Sequence, residues 1–253
     1  MTSSLFATWQ GQGREVAVLL HGFGACHRVW NGIAAALAGT IRTLAYDLPG
    51  HGASQAFPDA GSPRRTAQAI VADLAARELP RVHLVGHSMG GAVAVLTALA
   101  APERVASLTL LAPGGIGPEI DARLLRRYAL AAHPAELAAC LAAMSGPDAG
   151  TPAGTIEALM AMRRVPGQID ALAAIAAAIT RDGRQGVIPA DLLASLAMPV
   201  QVLWGTDDPV LPVAQTGALP AHFAVHRQTR AGHMLIEETP RPVTEAIGSS
   251  LAG

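Results

Sequence analysis

Five residues constrain this chain more than any others: Gly86-His87-Ser88-Met89-Gly90. An apolar run, Val82-His83-Leu84-Val85, precedes them, and an alanine-rich run, Ala92 to Ala101, follows. A strand feeding a helix through Gly-x-Ser-x-Gly is the sequence form of a nucleophile elbow. The turn is so tight that its serine must take a strained backbone conformation, and bulky neighbours two residues away on either side would clash. Glycines at 86 and 90, with Gly91 beyond, relieve that crowding. The Ser88 oxygen is then expected to stand clear above the sheet, with the Met89 amide directed at a reacting carbonyl. Ser88 as an ordinary helix N-cap is the competing reading, and it leaves the flanking glycines unexplained.

Two further motifs follow a compatible order. Leu19-Leu20-His21-Gly22-Phe23-Gly24 closes the apolar run Val16 to Leu20. The Phe23 amide is the expected second oxyanion donor, beside that of Met89. Toward the C-terminus, Val200 to Trp204 reads as a buried strand with Gly205-Thr206-Asp207-Asp208-Pro209 at its end. Ala224 to Thr229 then leads into Ala231-Gly232-His233-Met234. The candidates therefore run Ser, Asp, His along the chain, an order unlike that of chymotrypsin or subtilisin.

On these motifs the chain resembles the α/β-hydrolase superfamily along nearly its whole length. Asp47-Leu48-Pro49-Gly50-His51-Gly52-Ala53-Ser54 is similar to the family's loop after the next strand, and Glu237 to Pro240 to its segment after the histidine. Val105 to Ile120, with Ala112-Pro113-Gly114-Gly115-Ile116-Gly117, most resembles one subgroup. That subgroup is the hydrolase-like domain of acetoin dehydrogenase acetyltransferase components and the stand-alone hydrolases related to it. The resemblance implies a catalytic triad of Ser88, Asp208 and His233. Relatives place the acid three residues after the strand-end glycine, which from Gly205 gives Asp208 and leaves Asp207 as a turn residue or hydrogen-bond partner.

The coarse pattern agrees with an α/β fold. Strand-like runs at Leu5 to Trp9, Val16 to Leu20, Thr43 to Tyr46, Val82 to Val85, Ser107 to Leu111, Val200 to Trp204 and Ala224 to Gln228 alternate with helical stretches. Alternation of this kind predicts a mostly parallel sheet with helices on both faces. The first two strands are expected to pair through the turn Gly11-Gln12-Gly13. From Pro118 to Pro189 the alternation stops, and the stretch is helical in character, broken at Pro134, Gly146-Pro147, Gly150, Pro152 and Pro166-Gly167. In the resemblance this is where a helical cap is inserted, dividing the chain into core 1–117, cap 118–189 and core 190–253. Tyr128 is the only aromatic residue of that stretch apart from histidine, so an aliphatic pocket is expected. Its arginines, Arg123, Arg126, Arg127, Arg163 and Arg164, read as solvated helix faces, although one could meet a substrate carboxylate. Trp30 could wall the acyl pocket or be a buried helix contact. His21 and His87 are expected to brace their loops, and His51 to be structural.

Composition removes several function classes. At 253 residues the chain sits near the upper end of a single-core domain. Apolar residues make up 51%, but many are alanine, and no apolar run approaches the roughly 18 residues of a membrane span. Met1-Thr2-Ser3-Ser4 lacks the charged start and apolar core of a signal peptide, so a cytoplasmic protein is expected. A net charge of −1 offers no field for nucleic acid or anionic lipid. Cys26 and Cys140 suggest no disulfide framework. All 18 basic residues are arginine. The sequence therefore has no lysine for lipoyl attachment, a pyridoxal Schiff base or a Walker-type phosphate site. Neither His-Glu-x-x-His nor paired cysteines occur, so neither a metal nor another cofactor is expected.

The expected activity is cleavage of a small-molecule carboxylic ester, thioester or lactone through an acyl-enzyme on Ser88. Serine at the elbow argues against dehalogenase and epoxide hydrolase chemistry, whose relatives carry aspartate there, but is compatible with C–C bond hydrolysis. The subgroup resemblance implies an alternative, a dihydrolipoamide acetyltransferase-like component of an acetoin dehydrogenase-type complex. Such components carry a lipoyl domain ahead of this region, whereas this chain opens on the first hydrolase strand, so a partner would have to bring the lipoyl group. A non-catalytic binding module on the same fold is the third expectation.

Overall fold

The computed structural model describes residues 5–150 and 153–251. Pro152, one of the expected breaks, lies outside them, as does the Met1-Thr2-Ser3-Ser4 start. Among the described residues seven strands form one sheet: β1 (Ala7–Gln10), β2 (Val16–Leu20), β3 (Arg42–Tyr46), β4 (Val82–His87), β5 (Val105–Leu111), β6 (Val200–Gly205) and β7 (Ala224–Gln228). Their spatial order is β1-β3-β2-β4-β5-β6-β7. Every neighbouring pair is parallel except β1 with β3.

The central strands explain this arrangement. A parallel strand covered on both faces reads as a continuous apolar run rather than an alternating one, and every residue of β2 and β4 is buried. Helices α1 (Asn31–Leu37), α2 (Pro63–Ala76) and α3 (Met89–Ala100) follow β2, β3 and β4 in turn. Ser62 caps α2 by accepting the Arg65 N–H, and Pro63 opens that helix without wasting a donor. After β5 come α4 (Ala122–Leu130), α5 (Pro134–Met144), α6 (Ala153–Arg163) and α7 (Gln168–Ile179), then the short α8 (Ala190–Ala194) before β6. Past β7, α9 (Leu235–Glu238) and α10 (Pro240–Leu251) complete the order, with α10 packed along α1 and against β5.

One expectation is corrected. β1 does not pair with β2; it lies antiparallel to β3, Thr8 opposite Ala45. β2 already has β3 and β4 as parallel neighbours on its two edges, so no ladder is left for a hairpin. Gly13, at φ 128°, turns the chain past the Thr40 carbonyl, which a Cβ there would strike.

The start of α3 is packed closely enough to require glycine. A Cβ on Gly90 would run into the carbonyls of Leu20 and His21 at the end of β2, and one on Gly86 would meet Gly90 itself. Gly90→Ala is therefore expected to destabilise the fold by about 1–3 kcal/mol through overpacking. Denaturant titration of purified wild type and variant checks this, and equal midpoints would show that the backbone yields freely there.

Candidate active site

Ser88 lies between β4 and α3 with φ 52° and ψ −117°. Few L-residues occupy positive φ, and such strain persists only where the surroundings enforce it. Here the Ser88 N–H donates to Leu111 O at 2.9 Å, and its carbonyl receives the N–H groups of Gly91, Ala92 and Gly114. The side chain is left partly exposed above the end of the sheet.

Asp208 and His233 come from loops after β6 and β7. The His233 Nδ1–H donates to Asp208 Oδ2 at 2.8 Å, and the Ser88 hydroxyl donates to His233 Nε2 at 2.9 Å. Asp208 Oδ1 accepts the N–H groups of Val210 and Leu211, each at 2.8 Å, so the carboxylate is fixed from both sides and the histidine tautomer with it. His233 is 3% exposed. Asp207 points elsewhere: it is exposed, and its N–H donates to Ala231 O. Of the adjacent aspartates, only Asp208 meets the histidine. A chain of this form can draw the proton from the serine as its oxygen attacks a carbonyl.

Phe23 and Met89 flank that serine. In the hydrogen-bond pattern of the described residues neither their N–H groups donate to a protein acceptor, as a pair of oxyanion donors requires. The loop holding Phe23 is braced by histidines. His21 Nδ1–H donates to Gly22 O, and its Nε2 accepts the Leu48 N–H. His51 repeats the pattern, donating to Pro49 O and accepting the Gly24 N–H at 3.0 Å. His87 Nε2–H donates to the His233 carbonyl at 2.8 Å. Burial holds all three neutral. It lowers His21, and brings His51 and His87 down to about 3, with the neighbouring His21 and His233 respectively adding to the effect.

Several residues escaped the sequence reading. Arg163 does not lie on a solvated helix face; it is 4% exposed and inward. Its guanidinium donates to Gly24 O and Tyr128 O and lies 4.6 Å from the Tyr128 ring centre. The Tyr128 hydroxyl donates to the same Gly24 carbonyl. Glu238 accepts the N–H groups of Gly232, Met234 and Gly146, clamping both sides of His233. Trp30 does not wall a pocket. It is wholly buried and absent from the lining of the cavities beside Ser88, because the short helical turn that carries it packs into the core.

The main cavity at Ser88 encloses about 310 Å³. Phe23, Met89, Ile120, Leu125, Ile179, Ile188 and Leu211 line it, with the exposed Arg64 also on its boundary. Lining residues thus come from the core and from the 118–189 stretch alike. Elsewhere, Cys26, His27 and Asp47 bring potential metal ligands within 4.8 Å of one another. Burial pushes the Cys26 thiol up to about 11. Asp47 already accepts the His27 N–H, the His27 ring N–H and the Ala53 N–H, a donor set that suits a structural turn better than a cation.

A profile of the alpha/beta hydrolase family matches residues 17–246. The chain is a member of that family. Among curated relatives, the dihydrolipoyllysine-residue acetyltransferase component of the acetoin cleaving system from Pseudomonas putida is 34% identical over 238 residues, covering 94% of this chain and 63% of the relative. The Cupriavidus necator counterpart is covered to 65%, so the chain spans just under two thirds of the length of these two proteins. A pimeloyl-[acyl-carrier protein] methyl ester esterase from Methylococcus capsulatus is 33% identical, covering 97% of this chain and 99% of the relative. Among solved structures, a meta-cleavage product hydrolase from Pseudomonas fluorescens IP01 superposes with a TM-score of 0.86 at 18% identity, covering 98% of this chain and 94% of that one. This last likeness concerns the fold. No helix among the described residues of this hydrolase-family chain is long and apolar enough to cross a membrane.

The neutral histidines set a pH dependence of stability. An imidazole with a folded pKa near 3 and an ordinary value of 6.5 binds its proton better when unfolded. Its stabilising contribution is thus full above pH 6.5 and is lost as pH falls toward 3. The melting temperature of the wild type is expected to decline across that window, and that of His51→Gln to decline less steeply. Parallel curves in calorimetry would exclude His51 as a source.

Proposed function

We propose that this chain is a serine hydrolase that cleaves small carboxylic esters through an acyl-enzyme on Ser88. The observation that carries the reading is the hydrogen-bonded chain from Ser88 through His233 to Asp208, beside Phe23 and Met89, which line the same cavity and whose N–H groups have no protein acceptor among the described residues. In this mechanism His233 removes the hydroxyl proton as Ser88 attacks the ester carbonyl, and Asp208 stabilises the imidazolium. The two amides hold the developing oxyanion; loss of one such donor costs about 3–4 kcal/mol in comparable systems. His233 then protonates the departing alcohol, and water releases the acyl group. The 118–189 stretch serves as a cap over the nucleophile, and its aliphatic face selects the acyl chain.

Ser88→Ala is expected to leave a folded protein whose turnover of a methyl ester falls about 1,000-fold or more, because the three residues act as a unit. Asp208→Asn should lower turnover by about two to four orders of magnitude through the wrong histidine tautomer, while Asp207→Asn stays near wild type. The reverse ranking, measured on folded proteins, would give the acid role to Asp207.

The cavity generates a second prediction. Across methyl esters of increasing acyl length, kcat/KM should rise about fourfold per methylene until the pocket fills, as expected from about 0.8 kcal/mol per buried methylene. Ile179→Trp should move the optimum to shorter chains. An unshifted optimum would place the acyl chain away from the insertion.

A second reading, acyl transfer within an acetoin-cleaving complex, is favoured by the similarity to the Pseudomonas putida component. These 253 residues contain no lysine, so in that reading the lipoyl group would come from outside them. Acetyl transfer to dihydrolipoamide exceeding hydrolysis would support that reading over the first.

A further inference from the structure

A second, much smaller compartment adjoins Ser88. Phe23, Ser88 and Leu125 belong to both compartments, but His233 borders only the small one, together with Met234 and Glu237. Its open space is about 20 Å³, above the roughly 10–15 Å³ that one water requires. Glu237 is partly exposed as a residue, yet its Oε2 is buried and has no hydrogen-bond partner. Three other side chains nearby are committed. His87 donates to the His233 carbonyl, the Tyr128 hydroxyl to Gly24 O, and Glu238 accepts three backbone N–H groups. A buried carboxylate oxygen left without a partner is costly unless a ligand or water completes it.

We infer that Glu237 positions the water that hydrolyses the acyl-enzyme. The inference rests on the ester reading above. His233 Nε2 must protonate the leaving alcohol and later deprotonate the incoming water, so both pass on the side of the acyl group that faces His233. The small compartment is that side, and the apolar cavity takes the acyl chain. In the step itself, the water oxygen bonds to the acyl carbon while His233 takes one water proton. The bond from that carbon to Ser88 Oγ then breaks, and His233 returns the proton to Ser88, releasing the carboxylic acid. Burial raises Glu237 to about 8, with the neighbouring Glu238 adding to the effect, so near neutral pH its carboxyl is mostly protonated.

Methyl hexanoate with rapid-quench intact-protein mass spectrometry tests this, because growth and decay of the hexanoyl adduct are read separately. In Glu237→Leu, adduct decay should slow about tenfold, the worth of one buried hydrogen bond, with growth changed less than about threefold. Glu237→Gln, which keeps a hydrogen-bonding amide, should decay within about threefold of wild type. Glu237→Met gives a second apolar replacement if the leucine variant is not recovered folded. Wild-type decay in the apolar variants, or equal slowing of growth and decay, would overturn the role of Glu237 and leave Ser88 as the nucleophile. Absence of both an adduct and hexanoate release in every protein, wild type included, would overturn the ester reading and this inference with it.

Discussion

Ser88 is held in a backbone conformation, φ 52° and ψ −117°, that costs an L-residue about 1–3 kcal/mol. Much of the surrounding structure serves to hold it there. β4 is paired along both edges, with β2 and β5, so the strand cannot slide to release the turn. On the other side, α3 is mostly buried and begins immediately after the serine. Gly86, Gly90 and Gly91 let the strand, the helix and Pro113 close on one another without a side chain between them. The serine is thereby set above the carboxyl end of the sheet, where loops from β6 and β7 bring the carboxylate and the imidazole to it.

The loops after β2, β3 and β5 are joined to the helical stretch between β5 and β6 by polar side chains that bind the exposed backbone of glycines. Arg163 and Tyr128 hold Gly24, Gln168 holds Gly50 and Gly52, and Gln185 holds Gly115 and Gly117. A glycine leaves its peptide groups open to a long side chain arriving from another element. Buried histidines perform the same task within the core, each accepting one backbone N–H and donating to one carbonyl in the case of His21 and His51. Neutral imidazole suits this because it offers one donor and one acceptor without a charge to desolvate.

The residues that meet at Ser88 were legible in the sequence because each lies in a short motif at a strand end, where geometry is dictated locally. The place that relatives give the acid, three residues after the strand-end glycine, distinguished Asp208 from Asp207, and the hydrogen bond from His233 goes to Asp208. Non-local choices were not legible. The partner of β1 depends on which strand edges are already taken, a property of the whole sheet. Whether an arginine faces solvent depends on what its helix packs against, so Arg163 read like Arg164 beside it, although Arg163 is buried and Arg164 is exposed. Glu237 and Glu238 are adjacent and chemically alike, yet Glu238 meets three backbone donors while Glu237 keeps a buried oxygen without one. Only the turn of α9 separates those environments.

The Glu238 carboxylate has a mechanical consequence. One oxygen receives both the Gly232 N–H and the Gly146 N–H, and the other receives that of Met234. His233 itself donates its backbone N–H to Met144 O. Helix α5 and the histidine loop are therefore riveted at a shared corner. A displacement of the insertion at that corner would drag the imidazole with it, so rigid-body travel of the insertion that leaves the Ser88–His233 distance intact must pivot about Gly146 rather than pass through it.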